Sequence, residues 1–137
     1  MKKRYIALTL LLALALTACG GITSYTAVLK ANWGVSLPKC TELYSANTGP
    51  SFHGDGIRYH VFSVAKGDVD TLFTWREADE STADSAAQWL NELDVPHEHR
   101  PDFDSCKLYR QEKSDNSQLL VFLDSEKAIL YVVEQLI

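Results

Sequence analysis

The chain has 137 residues, a formal net charge of −5 and 46% apolar residues, enough for one small domain with its own core and too short for two. Its 18 acids outnumber 13 bases, and no basic stripe is present to neutralise phosphates, so nucleic acid is disfavoured as a partner. No internal repeat or low-complexity tract interrupts the chain.

Met1-Lys2-Lys3-Arg4 precedes an apolar run from Tyr5 to Leu16. The run is shorter than the ~20 residues of a membrane-spanning helix, and its basic flank fits a secretory signal. It closes on Leu16-Thr17-Ala18-Cys19, which resembles the lipobox of bacterial lipoproteins. That resemblance implies a signal peptide over 1–18, cleavage before Cys19, and a diacylglycerol on the Cys19 thiol, often with an amide-linked acyl chain such as palmitate. The product is anchored in the membrane and faces out of the cytoplasm. Gly20 rather than Asp after the cysteine implies the outer membrane where a cell has two. Loss of Lys2, Lys3 and Arg4 takes the net charge from −5 to −8, so the domain is repelled from an anionic membrane rather than laid on it.

Residues 19–32 read as the lipidated N-terminus and tether, in which Ile22, Tyr25, Val28 and Leu29 form the apolar side of a short helix. A single domain over 33–137 follows. Leu37-Pro38 introduces a strand near Cys40 to Ala46, and Ile57 to Ala65 forms a second, rich in β-branched and aromatic bulk. Lys66-Gly67-Asp68 breaks it, and Val69, Leu72 and Phe73 fall at helical spacing, predicting a short helix that ends near Trp75. The main helix is expected over Thr82 to Asp94: Ser81 and Asp84 resemble a capping pair, Ala83, Ala86, Ala87, Leu90 and Leu93 share a face, and Pro96 stops the pattern. Three strands follow, Cys106 to Gln111, Gln118 to Leu123 and Ala128 to Glu134, with a turn at Asp124-Ser125-Glu126-Lys127. The fold class is therefore α+β: an antiparallel sheet of about five strands, ordered β-β-α-β-β-β in the chain. One main helix and one or two short helices pack on one side.

With Cys19 spent on lipid, Cys40 and Cys106 are the two remaining thiols in an oxidising compartment, and a structural disulfide between them is expected. Their wide spacing argues against a redox pair or a zinc site, which favour arrangements such as Cys-x-x-Cys.

Phe52-His53-Gly54-Asp55-Gly56 is the most distinctive cluster. It reads either as a loop presenting His53 and Asp55 to a ligand, or as a strand connection in which Asp55 caps backbone N–H groups. Pro96-His97-Glu98-His99 is the second, and an extended segment would point His97 and His99 the same way. Joined by His53, Asp55 or His60, they would compose a zinc or copper site. No Gly-x-Ser-x-Gly elbow and no phosphate-cradling glycine loop occurs, and the Asp102/Asp104 pair is what any solvated loop supplies. Trp33, Trp75 and Trp89 read as core residues if buried, and as a docking site if exposed together, with core the expected reading for each alone.

Phe52-His53-Gly54-Asp55-Gly56 with Tyr59 and Val61-Phe62, then Asn116 through Leu120, Asp124-Ser125 and Leu130-Tyr131, resembles a set of small uncharacterised bacterial proteins with a Phe-His-Gly-Asp-Gly loop before a strand. The resemblance covers most of 37–134 and implies a shared fold without an activity. Two departures stand out: Pro50-Ser51 where many such proteins carry another glycine, and Leu123-Asp124 where they carry Tyr-Asp. The expected function is a non-enzymatic, lipid-anchored binding or interaction module with no cofactor, held to the membrane through Cys19, with an envelope protein as partner. The alternative is a zinc- or copper-binding envelope protein using His53, Asp55, His60, His97 and His99.

Overall fold

The computed structural model describes residues 24–49 and 54–137, so the signal, the lipobox, Cys19 and His53 lie outside the described residues. The chain divides into two compact units between Ser36 and Leu37. In the first, helix α1 (Tyr25–Trp33) buries Leu29 and Trp33 and ends at Gly34, whose left-handed backbone lets its N–H reach the Lys30 carbonyl.

The second unit is an α+β fold. Its strands are β1 (Cys40–Asn47), β2 (Gly56–Val64), β3 (Arg76–Glu77), β4 (Lys107–Glu112), β5 (Gln118–Asp124) and β6 (Ile129–Leu136), with helix α2 (Glu80–Glu92) between β3 and β4. All pairings are antiparallel and the sheet order is β1-β2-β6-β5-β4-β3. The apolar runs of β5 and β6 take the centre because only strands with neighbours on both edges and cover on both faces bury such sequences. The sheet has six strands where about five were expected. The extra one, β3, is two residues long and carries no periodic signal.

Alternation assigns the faces. Ile57, Tyr59 and Val61 of β2, Leu120 and Phe122 of β5, and Tyr131 and Val133 of β6 pack with Ala86, Trp89 and Leu90 of α2. Small Ala86 lets the helix lie close, as the alanine-rich face implies. Phe62, Leu119, Val121, Leu123, Leu130 and Val132 point to the opposite face and are also buried. Trp33 and Trp89 are buried as core residues, while Trp75 is half-buried.

Two local expectations are corrected. The segment expected as a helix ending near Trp75 is a run of turns: the N–H groups of Asp68, Asp70 and Leu72 each bond the carbonyl three residues earlier. Gly67 has φ +85°, a conformation that ends helical propagation, and the Trp75 indole N–H donates to the Val69 carbonyl at 3.1 Å. Helix α2 starts two residues earlier than expected, with Asp79 and not Ser81 as its cap. The Asp79 carboxylate accepts from Thr82 N–H at 2.8 Å and from the Thr82 hydroxyl at 2.9 Å.

Behind α2, Arg100 secures the exit. Its guanidinium donates to the Val95 carbonyl at 2.7 Å, the Leu90 carbonyl at 3.2 Å and Asn91 Oδ1 at 2.7 Å, filling acceptors that a helix end leaves open. The β5–β6 turn matches the expected Asp124–Lys127 connection. Asp124 Oδ1 accepts from Lys127 N–H at 3.0 Å, and Ala128 completes the reversal at φ 54°.

Candidate functional site

A hollow of about 980 Å³ lies on the helix side of the sheet. The first turns of α2 form one wall, the 97–104 segment forms the other, and Lys127 of the β5–β6 turn stands at one end. Each wall owes its shape to short-range bonding. Asp79 fixes the start of α2, Arg100 holds the descending segment, and Asp102 caps a single 3-10 turn by accepting from Asp104 N–H and the Ser105 hydroxyl.

This cleft is acidic. Asp79, Glu80, Asp84, Glu98, Asp102 and Asp104 line it against Arg100 and Lys127. Arg100 is committed to the α2 exit, and Asp79 and Asp102 are committed as caps. Glu80, Asp84, Glu98 and Asp104 make no hydrogen bond or ion pair with other described side chains. Asp79 is held below its ordinary pKa by the Thr82 N–H and hydroxyl bonds, with Arg76 adding to them.

Tyr131 lines the same cleft and is only 5% exposed. Its hydroxyl has no hydrogen-bond partner among the described residues. Among the described residues no side-chain oxygen or nitrogen sealed from solvent lacks a partner, so the Tyr131 hydroxyl is open to solvent. Burial raises its pKa, with Cys106 and Asp124 adding to the effect, so it stands there as a neutral phenol.

The cysteines do not meet. Cys40 sits on edge strand β1 and Cys106 just before β4, with β2, β6 and β5 between them, and both are free thiols. Four interstrand steps separate them by on the order of 19 Å, well beyond the ~7 Å limit for a bridge. They also face opposite sides, since Cys106 belongs to the helix-side core while Cys40 pairs with Val64 on the other face. The expected disulfide is therefore not formed. Burial, reinforced by the Asp124 and Asp102 carboxylates, pushes the Cys106 thiol up to about 12. Burial and Glu42 raise that of Cys40.

The described histidines also stay apart. His60 sits on the face away from α2, where Nδ1 contacts the Glu42 carboxylate of β1. His99 lies on the helix side, stacked on Tyr44 with ring centroids 4.2 Å apart. His97 is exposed on the cleft wall. Among the described residues, no three of His, Cys, Asp and Glu come together as metal ligands. Asp55 is exposed beside a hollow of about 220 Å³ with Asn47, Thr48, Arg58 and His60. The backbone bonding there is done by Thr48, whose Oγ1 accepts from Ile57 N–H at 3.2 Å, and by Asn47, whose Oδ1 accepts from Gly49 N–H at 2.8 Å.

The acidic cleft was not singled out from the residues alone, although a signal exists: nine of the 18 acids fall between Glu77 and Asp104, with Arg100 the only Lys or Arg in that span. No family model, no curated protein and no solved structure matches the chain.

Proposed function

We propose that this protein is a lipid-anchored, extracytoplasmic binding module of the cell envelope that works without catalysis and uses the cleft between α2 and the 97–104 segment as its contact surface. The observation that carries the reading is the cleft itself: about 980 Å³ of open space, walled by rigidly capped segments and bearing carboxylates that no internal partner satisfies. A surface preorganised in this way keeps the ordering cost of binding low. Lipidation at Cys19 supports the same reading, since a tether raises the local concentration of neighbouring envelope components.

Photo-crosslinking in intact cells tests it. A benzophenone side chain placed at Asp84, on the cleft wall, is expected to give a discrete adduct, and the same group at Lys113, in the β4–β5 turn at the other end of β5 from Lys127, is not. Equal or absent adducts at both positions would sink the proposal. Anchoring is tested separately: Cys19→Ala is expected to lose acyl label and to block processing, and unchanged membrane retention would count against it.

A further inference from the structure

Strand β1 lies at the edge of the sheet and is held in register from one side, by β2. None of its eight residues is fully buried, and a strand that buries no complete face specifies its register weakly. Its two halves differ in this respect. Tyr44 and Ala46 pack against the helix-side core, and the Tyr44 ring stacks on His99, so the second half is fixed. Residues 40–42 have no such anchor, and their register is offset by one from that of the second half. Glu42 stands opposite Phe62 and Tyr44 opposite Val61, which leaves Leu43 without a partner on β2 and 48% exposed.

A straight strand would remove this bulge. With the second half unmoved, Leu43 would stand opposite Phe62, Glu42 opposite Ser63 and Thr41 opposite Val64. Alternation then carries Glu42 off the face it shares with His60 and sets Leu43 against buried Phe62 in its place. Covering an exposed leucine favours that slip. One contact opposes it: the Glu42 carboxylate meets Nδ1 of His60, whose side chain is 15% exposed, and a hydrogen bond to an ionised carboxylate is stronger than a neutral one. We infer that the Glu42–His60 contact is a latch that selects between two registers of β1. While it is made, the edge keeps its bulge; when it is lost, residues 40–42 advance by one and the edge becomes unbroken. Glu42 and His60 act here as positioning residues.

Cross-strand disulfide trapping in the full chain tests this. In a Cys40→Ser, Cys106→Ser background, Thr41→Cys bridges with Ser63→Cys in the bulged register. It bridges with Val64→Cys only in the straight one, because in the bulged strand positions 41 and 64 lie on opposite faces. Under mild oxidation, with bridges located by peptide mass spectrometry, the chain with Glu42 and His60 intact is expected to form 41–63 and not 41–64. Glu42→Ala is expected to raise 41–64 relative to 41–63 about tenfold or more, the usual consequence of losing a bond to a charged group. His60→Val removes the other half of the latch and is expected to give the same shift. Adding Leu43→Ser to Glu42→Ala takes away the apolar gain and is expected to return bridging to 41–63, which a merely weakened strand would not do. A 41–64 bridge with the latch intact would overturn the inference. So would an unchanged pattern or loss of both bridges in either single variant, or no return with Leu43→Ser.

Discussion

The Tyr59 hydroxyl donates a hydrogen bond of 2.5 Å to the backbone carbonyl of His99, 40 residues further along the chain. One phenol thereby pins the segment that forms a cleft wall to strand β2. The His99 ring stacks in turn on Tyr44 of β1, so three separate segments meet around Tyr59. Burial, the largest cause, raises the Tyr59 pKa well above its ordinary value, and the donor persists into alkaline solution. Tyr59→Phe leaves the His99 carbonyl short of a partner and is expected to destabilise the fold by about 1–2 kcal/mol. Urea unfolding checks it: the midpoint falls while the slope stays unchanged.

His60 predicts a pH dependence. Its pKa is lowered, chiefly by burial, against the opposing pull of Glu42 and Glu134, with Arg58 assisting the lowering. A histidine depressed in the folded state binds protons more readily when unfolded. Its contribution is therefore intact above the unfolded value near 6.5 and is lost as pH falls from there through the folded pKa. Unfolding midpoints at pH 7.5 and pH 5.5 are expected to differ more in the native chain than in His60→Gln. Identical differences would remove His60 as the cause.

Two thiols, not a bridge, are expected in the folded chain. Cys106 is 4% exposed, with its thiol pushed up to about 12. Thiolate is the reactive form, so Cys106 should resist a thiol reagent at pH 8 until the protein is denatured. Half-buried Cys40 should react sooner, although Glu42 and burial slow it too. Labelling of Cys40→Ser and Cys106→Ser variants, native and denatured, assigns each rate. A native chain with no titratable thiol from these two residues would contradict the strand order.

Glycine is required at position 56. Its φ is +124°, and an added Cβ would stand 2.1 Å from Thr48 Oγ1, the atom that accepts from Ile57 N–H. Gly56→Ala is expected to cost about 2 kcal/mol through backbone strain and displacement of Thr48. Ala128 offers the converse case. It holds φ 54° without being glycine, and Ala128→Gly is expected to stabilise by about 0.5–1 kcal/mol in thermal or urea unfolding.

The parts legible in the residues were those governed by local rules. β2 announces itself by β-branched and aromatic bulk, β5 and β6 by unbroken apolar runs, and α2 by its alanine-lined face, with errors of one or two residues at the ends. Asp79 escaped notice as the cap because Ser81 offers the same chemistry two residues later, and only the backbone chooses between them. The parts that stayed hidden depend on strand order. Nothing in the periodicity of β6 says that it inserts between β2 and β5, yet that insertion carries Cys40 and Cys106 apart. For the same reason the cleft was unreadable: Glu80, Glu98 and Lys127 become neighbours only once α2, the 97–104 segment and the last turn are folded onto one sheet.

The register shift in β1 between Glu42 and Tyr44 has a social consequence for molecules crowded on a surface. Among the described residues the sheet ends in the eight-residue β1 on one side and in a two-residue strand on the other, so β1 is the longer edge strand that a neighbour would meet. An irregular rung in the middle of it spoils its match to any straight strand. Copies that meet edge to edge would then collide and part without zipping into a ribbon, and the acidic cleft on the helix side stays free for other company.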